Sequence, residues 1–280
     1  MNSFIMAHKR KKSESSGGSG SLSDLVSLGI LSKPISEFSD SDIGTEVSIP
    51  YSNEGSGISG PIVFEVVGVN HHTTSEHQKT ITLMTKNIIR QAAFDAKEPN
   101  NTDSNRKDKG NNRWSVSNIR QWLNSDGAAG SWWSAQHEYD APPIAANVYD
   151  AAGAYADAPG FLAGFSANVL QHFTDITNIT ALCSADGGGS ETTVDKVFLP
   201  SNTEMGLGNN SEGSHLSVRY PDNNSRIKQW NGSDNTYYTR SPYPVMKSSL
   251  VLCVLQSGAS SFSHSMASSG YGIAPIIVLH

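Results

Sequence analysis

The chain has 280 residues, a net charge of −6, 37% hydrophobic residues and only 16% charged ones. That charge balance excludes general affinity for nucleic acid, and no apolar run approaches the roughly 18 residues that a membrane-spanning helix needs. Two cysteines, Cys183 and Cys253, are too few for a disulfide framework or a zinc site, and both read as reduced core residues in apolar runs.

Residues 1–21 read as a disordered arm, with the basic run HKRKK ahead of the Gly/Ser-rich SESSGGSGS. The order of apolar and basic pieces is the reverse of a signal peptide, so none is expected. Residues 22–42 form a separate short apolar segment that reads as a docking or anchoring piece, on the main domain or on another chain. The main domain is expected over 43–280. IGTEVSIPY, GPIVFEVVGVN and TITLMT read as its first three strands, and KEPNNTDSNRKDKGNNR (97–113) as a loop.

WSVSNIRQWLN reads as a helix capped by Ser115 or Ser117, with Val116, Ile119, Trp122 and Leu123 on one face. A second helix is expected over PGFLAGFSANVLQHF, where Phe161, Phe165, Val169 and Phe173 recur every four residues behind Pro159. A long irregular insert separates the two. DKVFLPS, SSLVLCVLQ and the closing GIAPIIVLH read as strands. The last is expected to pair with an early strand such as IVFEVVGV, so that the terminal strands of an α+β domain lie side by side.

Five pieces occur in order over most of the chain: VSNIRQWLN, GFLAGFS, TTVDKVFLPSNTE, YYTRSP and GYGIAPIIVL. They resemble a bacterial and phage domain family of unknown function. Its members show Ser-x-Ile/Leu-Arg-x-Trp-Leu-Asn, Asp-Lys-Val-Phe-Leu-Leu-Ser, Trp-Trp-Leu-Arg-Ser-Pro and Gly-Val-Arg-Pro-Ala-Leu. The resemblance implies a C-type-lectin-like fold of two helices, short antiparallel strands and long loops. It also implies a setting in phage tail-fibre, receptor-binding or other virion structural proteins. The chain departs from the pattern at Tyr237-Tyr238-Thr239-Arg240, at Pro200, and at Ala274, where the family has an arginine.

No nucleophile elbow marks a catalytic centre, the acid pairs Glu138/Asp140 and Asp150/Asp157 sit in irregular sequence that does not set their separation, and no enzyme activity or cofactor is expected. His71 and His77 could share a strand face and ligate a metal. Glu98-Pro99-Asn100 and the QWNGSDN stretch look like the calcium and sugar motifs of C-type lectins, although out of place, so Glu98 and Asn100 are weak metal candidates. Ligand contact is expected instead from carboxy-terminal loops that mix aromatics with Ser, Asn and Gly. Trp230, Tyr237, Tyr238, Phe262, His264 and Tyr271 are the candidates, with one of Tyr237 and Tyr238 expected in the core. Arg240 reads as a structural arginine that satisfies backbone carbonyls.

The expectation is a non-enzymatic phage virion protein, made in the host cytoplasm. It would be attached to other virion proteins through residues 1–42, be homo-oligomeric, and present loops to a host receptor or glycan. The competing expectation is a bacterial enzyme or small-ligand binder of the same fold, holding metal at His71 and His77.

Overall fold

The computed structural model describes residues 23–208, 211–245, 247–261 and 265–280, so the arm expected over 1–21 lies outside the described residues, as do Phe262 and His264. In chain order the strands are β1 (Glu46–Ile49), β2 (Ile62–Val69), β3 (Ile81–Thr85), β4 (Arg90–Ala92), β5 (Ile176–Ala181), β6 (Ser190–Asp195), β7 (Val197–Phe198), β8 (Lys228–Trp230), β9 (Ser233–Asn235), β10 (Tyr237–Pro242), β11 (Val251–Val254), β12 (Tyr271–Ile273) and β13 (Ile276–Leu279). The helices are short: α1 (Ser23–Ser27), α2 (Ser104–Lys109), α3 (Asn118–Leu123), α4 (Ala167–Leu170) and α5 (Asn223–Arg226). The domain is α+β.

One sheet has the order β1-β2-β3-β13-β7, antiparallel throughout. A second has the order β11-β10-β12-β4, in which β10 and β12 run parallel through Tyr237 and Gly272. β5–β6 and β8–β9 are separate hairpins. The closing strand is indeed tied into a sheet, but its early partner is β3, through Ile277 opposite Leu83, and not β2. β2 is already flanked by β1 and β3, which leaves no free edge. All four β13 side chains are fully buried, which is why the strand reads as a continuous apolar run.

α3 follows the sequence pattern closely. The Ser117 hydroxyl accepts from the Arg120 N–H in the first turn, and Ile119, Trp122 and Leu123 are fully buried. The second expected helix is not continuous. A 3-10 turn over Phe161–Gly164 ends in extended backbone at Phe165 and Ser166, before the single α turn of α4. The Gly164 carbonyl accepts from Ser52 N–H at 2.9 Å, and a Cβ on Gly164 would collide with the Tyr51 ring. A close packing contact with distant chain has therefore replaced the helical bond there. Phe161, Phe165, Val169 and Phe173 are buried all the same. The 97–113 stretch is also more ordered than a loop, because Asp103 caps α2 through the Asn105 N–H.

Of the two docking partners open to residues 22–42, the described part takes its own domain. Leu25, Ile30, Leu31, Ile35 and Phe38 are buried in the same core as β1 and β2. Each such side chain contributes about 1.5–3 kcal/mol on burial, and together they rival a whole domain's net stability of about 5–15 kcal/mol. Removing residues 1–42 is therefore expected to give an aggregating or strongly destabilised chain relative to removal of 1–22. Thermal melts of the two truncations check this, and equal midpoints would rule it out.

Candidate functional site

The motif residues form a framework in which the charged groups pair with one another, although Arg240 Nε and Asn178 Oδ1 are left without a partner. Arg120 of α3 donates from Nε to Asp195 Oδ1 at 2.6 Å. The other Asp195 oxygen accepts from Trp114 Nε1 (3.2 Å), Asn178 Nδ2 (3.1 Å) and Thr193 Oγ1 (2.6 Å). Asn124 acts as a two-sided clamp on the chain entering β7, its Oδ1 accepting from the Lys196 and Val197 N–H groups and its Nδ2 donating to the Val197 carbonyl.

Arg240 is 1% exposed. It grips Glu204 with two parallel bonds, Nη1 to Oε2 at 2.7 Å and Nη2 to Oε1 at 2.9 Å. It also donates to the carbonyls of Leu199 (2.8 Å) and Glu212 (3.2 Å). Burial opposes both charges, and the pairing outweighs it. The Glu204 carboxyl sits far below the ordinary carboxylate range and the guanidinium above its own. β10 ends at Pro242, where the ladder loses a donor.

Tyr237 and Tyr238 are both core residues, so neither is a loop anchor. They point to opposite sides of β10, but both sides are covered. The Tyr237 hydroxyl donates to the Arg226 carbonyl at 2.8 Å, and that of Tyr238 to the carbonyls of Met266 (2.6 Å) and Ser269 (2.9 Å). Ala274, another of the three departures from the family pattern, is fully buried.

The metal candidates do not converge. His71 contacts His72 edge-on at 4.7 Å between ring centres, whereas His77 stacks on His280 at 3.6 Å. Glu98 is buried and accepts from Asn101 and from Asn111 Nδ2 at 3.1 Å, while Asn100 is exposed. Among the described residues no group of three His, Cys, Asp or Glu side chains could hold a metal. The QWNGSDN stretch is the tight β8–β9 hairpin, with positive φ at both Asn231 (51°) and Gly232 (78°), as a type I′ turn requires. Cys183 and Cys253 are free and buried.

His71 supplies a pH test. Burial, then the neighbouring His72, holds its pKa down to about 4 against an ordinary 6.5. Between those values the unfolded chain takes up a proton that the folded one refuses, so stability falls as pH drops from 6.5 toward 4 and is fully present above 6.5. His71→Gln is expected to flatten this slope in urea midpoints measured from pH 7.5 to 5. Parallel curves for the two proteins would count against the assignment.

Two predicted ligand residues remain accessible, in different clefts. Trp230 borders a groove of about 370 Å³ with Ile58, Pro61, Asn87 and Ile89. Its one lysine, Lys86, is paired with Glu46. Tyr271 lines a cleft of about 480 Å³ together with Tyr149, Asp150, Lys109, Lys247 and Ser249. This second cleft is built from four segments pinned together at their backbones. Tyr149 N–H donates to the Ser268 carbonyl (2.8 Å), Ser268 N–H to that of Lys109 (2.9 Å), and Asn112 Nδ2 to those of Lys247 and Leu250 (both 2.9 Å). Asp150 Oδ2 accepts from Gly270 N–H at 3.0 Å, and a Cβ on Gly270 would strike Asp150 and the Gly153 backbone. Tyr238 supports the same loop from behind, with its ring edge-on to Tyr271 at 5.4 Å.

Within the cleft the Ser249 hydroxyl is fully buried and has no hydrogen-bond partner. A buried polar atom without a partner costs free energy unless a guest or water completes it. Tyr149 is 62% exposed, an unusual state for so large a ring. An open aromatic, ammonium groups outside any ion pair and an unsatisfied hydroxyl on a strapped scaffold make this cleft the candidate binding site.

A family model described as a domain of unknown function, DUF6273, matches residues 78–280. The chain belongs to the DUF6273 family. No curated protein and no solved structure matches it. All the residues of the Tyr271 cleft fall inside the DUF6273 match. β1, β2 and the core residues of 25–38 precede it, yet they complete the first sheet and its core. Sequence reasoning found Tyr271 from its loop composition. It missed Tyr149, Lys109, Lys247 and Ser249, which lie in three other segments with no local signature.

Proposed function

We propose that this DUF6273 protein is a non-enzymatic recognition module with a C-type-lectin-like architecture, carried on a phage particle and held there through its amino-terminal arm. The Tyr271 cleft is its ligand site, and a bacterial surface glycan or receptor is its ligand. The observation that carries this reading is the cleft itself: two tyrosines, lysines without acidic partners and the unpartnered Ser249 hydroxyl on a hydrogen-bonded frame. The ordered sequence motifs support the phage setting. The framework around Arg240 and Asp195 fits a scaffold for such a site, because its ion pairs are turned inward on the fold.

The test is binding of the purified protein to bacterial cells and to an array of bacterial surface polysaccharides. Tyr271→Ala is expected to cut affinity about five- to tenfold while leaving the thermal midpoint within a few degrees, since stacking on one half-buried ring contributes about 1–1.5 kcal/mol. Unchanged binding in that variant would remove the cleft from the reading. Absence of any glycan or cell binding would end it.

A further inference from the structure

The protein as a whole carries −6, yet the walls of the Tyr271 cleft lean the other way. Lys109 and Lys247 line it, and the Lys97 ammonium lies 5.9 Å from the Tyr149 ring centre. Among the described residues the lysines with ion-pair partners are Lys33, Lys86 and Lys196, and none of these belongs to the cleft. The one acid in the lining, Asp150, has an oxygen committed to the Gly270 N–H and so acts as a strap for the loop. Two ammonium groups, Lys109 and Lys247, therefore face one carboxylate, Asp150, across the lining, and Lys97 adds a third positive charge beside Tyr149, so the space carries a net positive charge. Two tyrosine rings offer flat apolar faces beside them, and Ser249 offers a hydroxyl that nothing inside the protein uses.

We propose that the cleft selects an acidic saccharide, one whose sugar rings carry carboxylate or phosphate groups. This rests on the glycan-binding reading above and narrows it. Each part of the ligand has a counterpart in the cleft. The C–H face of a pyranose packs on Tyr149 or Tyr271, as apolar edges do on aromatic rings. A ring hydroxyl completes Ser249 and so removes its desolvation cost. The anionic substituent meets Lys109 and Lys247, point charges on flexible stems that suit carboxylate and phosphate alike. A volume of about 480 Å³ suits a small oligosaccharide and lies within the usual range for small-molecule sites. A neutral glycan would leave the lysines unanswered, and a bare polyanion would leave the tyrosines and Ser249 unanswered.

Calorimetric titration of the full chain tests this with four probes: trigalacturonate, its methyl ester, a glucosylated poly(glycerol phosphate) and polyglutamate. The expected result is that one of the two acidic glycans binds at least tenfold more tightly than both the ester and polyglutamate, with affinity falling as salt rises. Which of the two wins identifies carboxylate or phosphate as the source of charge. The double variant Lys109→Met/Lys247→Met should lose that preference while keeping whatever affinity the ester shows, and Tyr271→Ala should weaken every glycan. If the ester binds as tightly as the acid, the cleft is a neutral-glycan site: the acidic class is wrong and the function stands. Polyglutamate binding as tightly as the sugars would make charge alone the cause and overturn the inference. If no probe binds, both the acidic class and the glycan reading fall.

Discussion

Replacing Arg240 with methionine is expected to destabilise the domain by about 3–5 kcal/mol, the usual result of leaving one member of a buried pair uncompensated. Methionine fills much of the space but returns no hydrogen bond. Glu204 would keep its bond from Ser201 N–H and its 3.2 Å contact with His72, and lose the buried guanidinium that pairs with both its oxygens. The carbonyls of Leu199 and Glu212 would each lose a donor. Arg240→Lys should be milder, at about 1–3 kcal/mol, because one ammonium cannot reproduce a bidentate fork and reach two carbonyls as well.

The pH dependence sharpens the test. In the wild type the Glu204 carboxyl is held below its unfolded value, so its stabilisation is present above that value and is lost as pH falls. In the methionine variant burial is opposed only by the Ser201 N–H and His72, so the same carboxyl is expected to rise, a cost that protonation relieves. Both changes narrow the gap between the two proteins on acidification, and adding Glu204→Gln to the variant should recover part of the loss. Urea unfolding at pH 7 and pH 4.5 checks the sign. A variant of wild-type stability that had lost only ligand binding would move Arg240 from framework to site.

Features set by neighbours in sequence were readable, and features set by distant chain were not. α3 combines a serine cap with apolar residues three and four apart, and both signals lie within one short stretch. The 161–173 stretch carried the same four-residue spacing, but that spacing reports burial on one side and not continuity. A contact from Ser52 decided its backbone. Strand alternation placed Tyr237 and Tyr238 on opposite faces, and it is blind to what lies over each face, here Arg226 on one side and the 266–269 loop on the other. Arg240 was recognisable as structural, yet its partner Glu204 is 36 residues away with nothing local to mark it. The cleft is the extreme case, since Lys109, Tyr149, Ser249 and Tyr271 meet only through hydrogen bonds between remote segments. A composition rule could find the tyrosine in a polar loop, but not the lysines beside it.

Asp195→Ala is the second large effect. Asp195 is 1% exposed and receives four donors, from Trp114, Arg120, Asn178 and Thr193. Trp114 and Asn178 are themselves buried and have no water to turn to. Each orphaned neutral donor costs about 1–3 kcal/mol, and the Arg120 guanidinium loses its anion. Relaxation of the partners limits the sum, so a loss of about 3–5 kcal/mol is expected. At about 2–4 °C per kcal/mol for a chain of this size class, that is a drop of roughly 6–20 °C in the thermal midpoint. Asp195→Asn keeps one acceptor but turns an amide toward donors, and should fall between alanine and wild type. In a double-mutant cycle, Arg120→Ala should cost much less in the Asp195→Ala background than in the wild type, because the bond it removes is already gone. Additive losses would mean that the pair is not coupled. None of the four donors lines the Tyr271 cleft. Below its midpoint the alanine variant should therefore bind an acidic saccharide as the wild type does, while Tyr271→Ala does the reverse. The two variants together separate what holds the DUF6273 fold from what its cleft recognises.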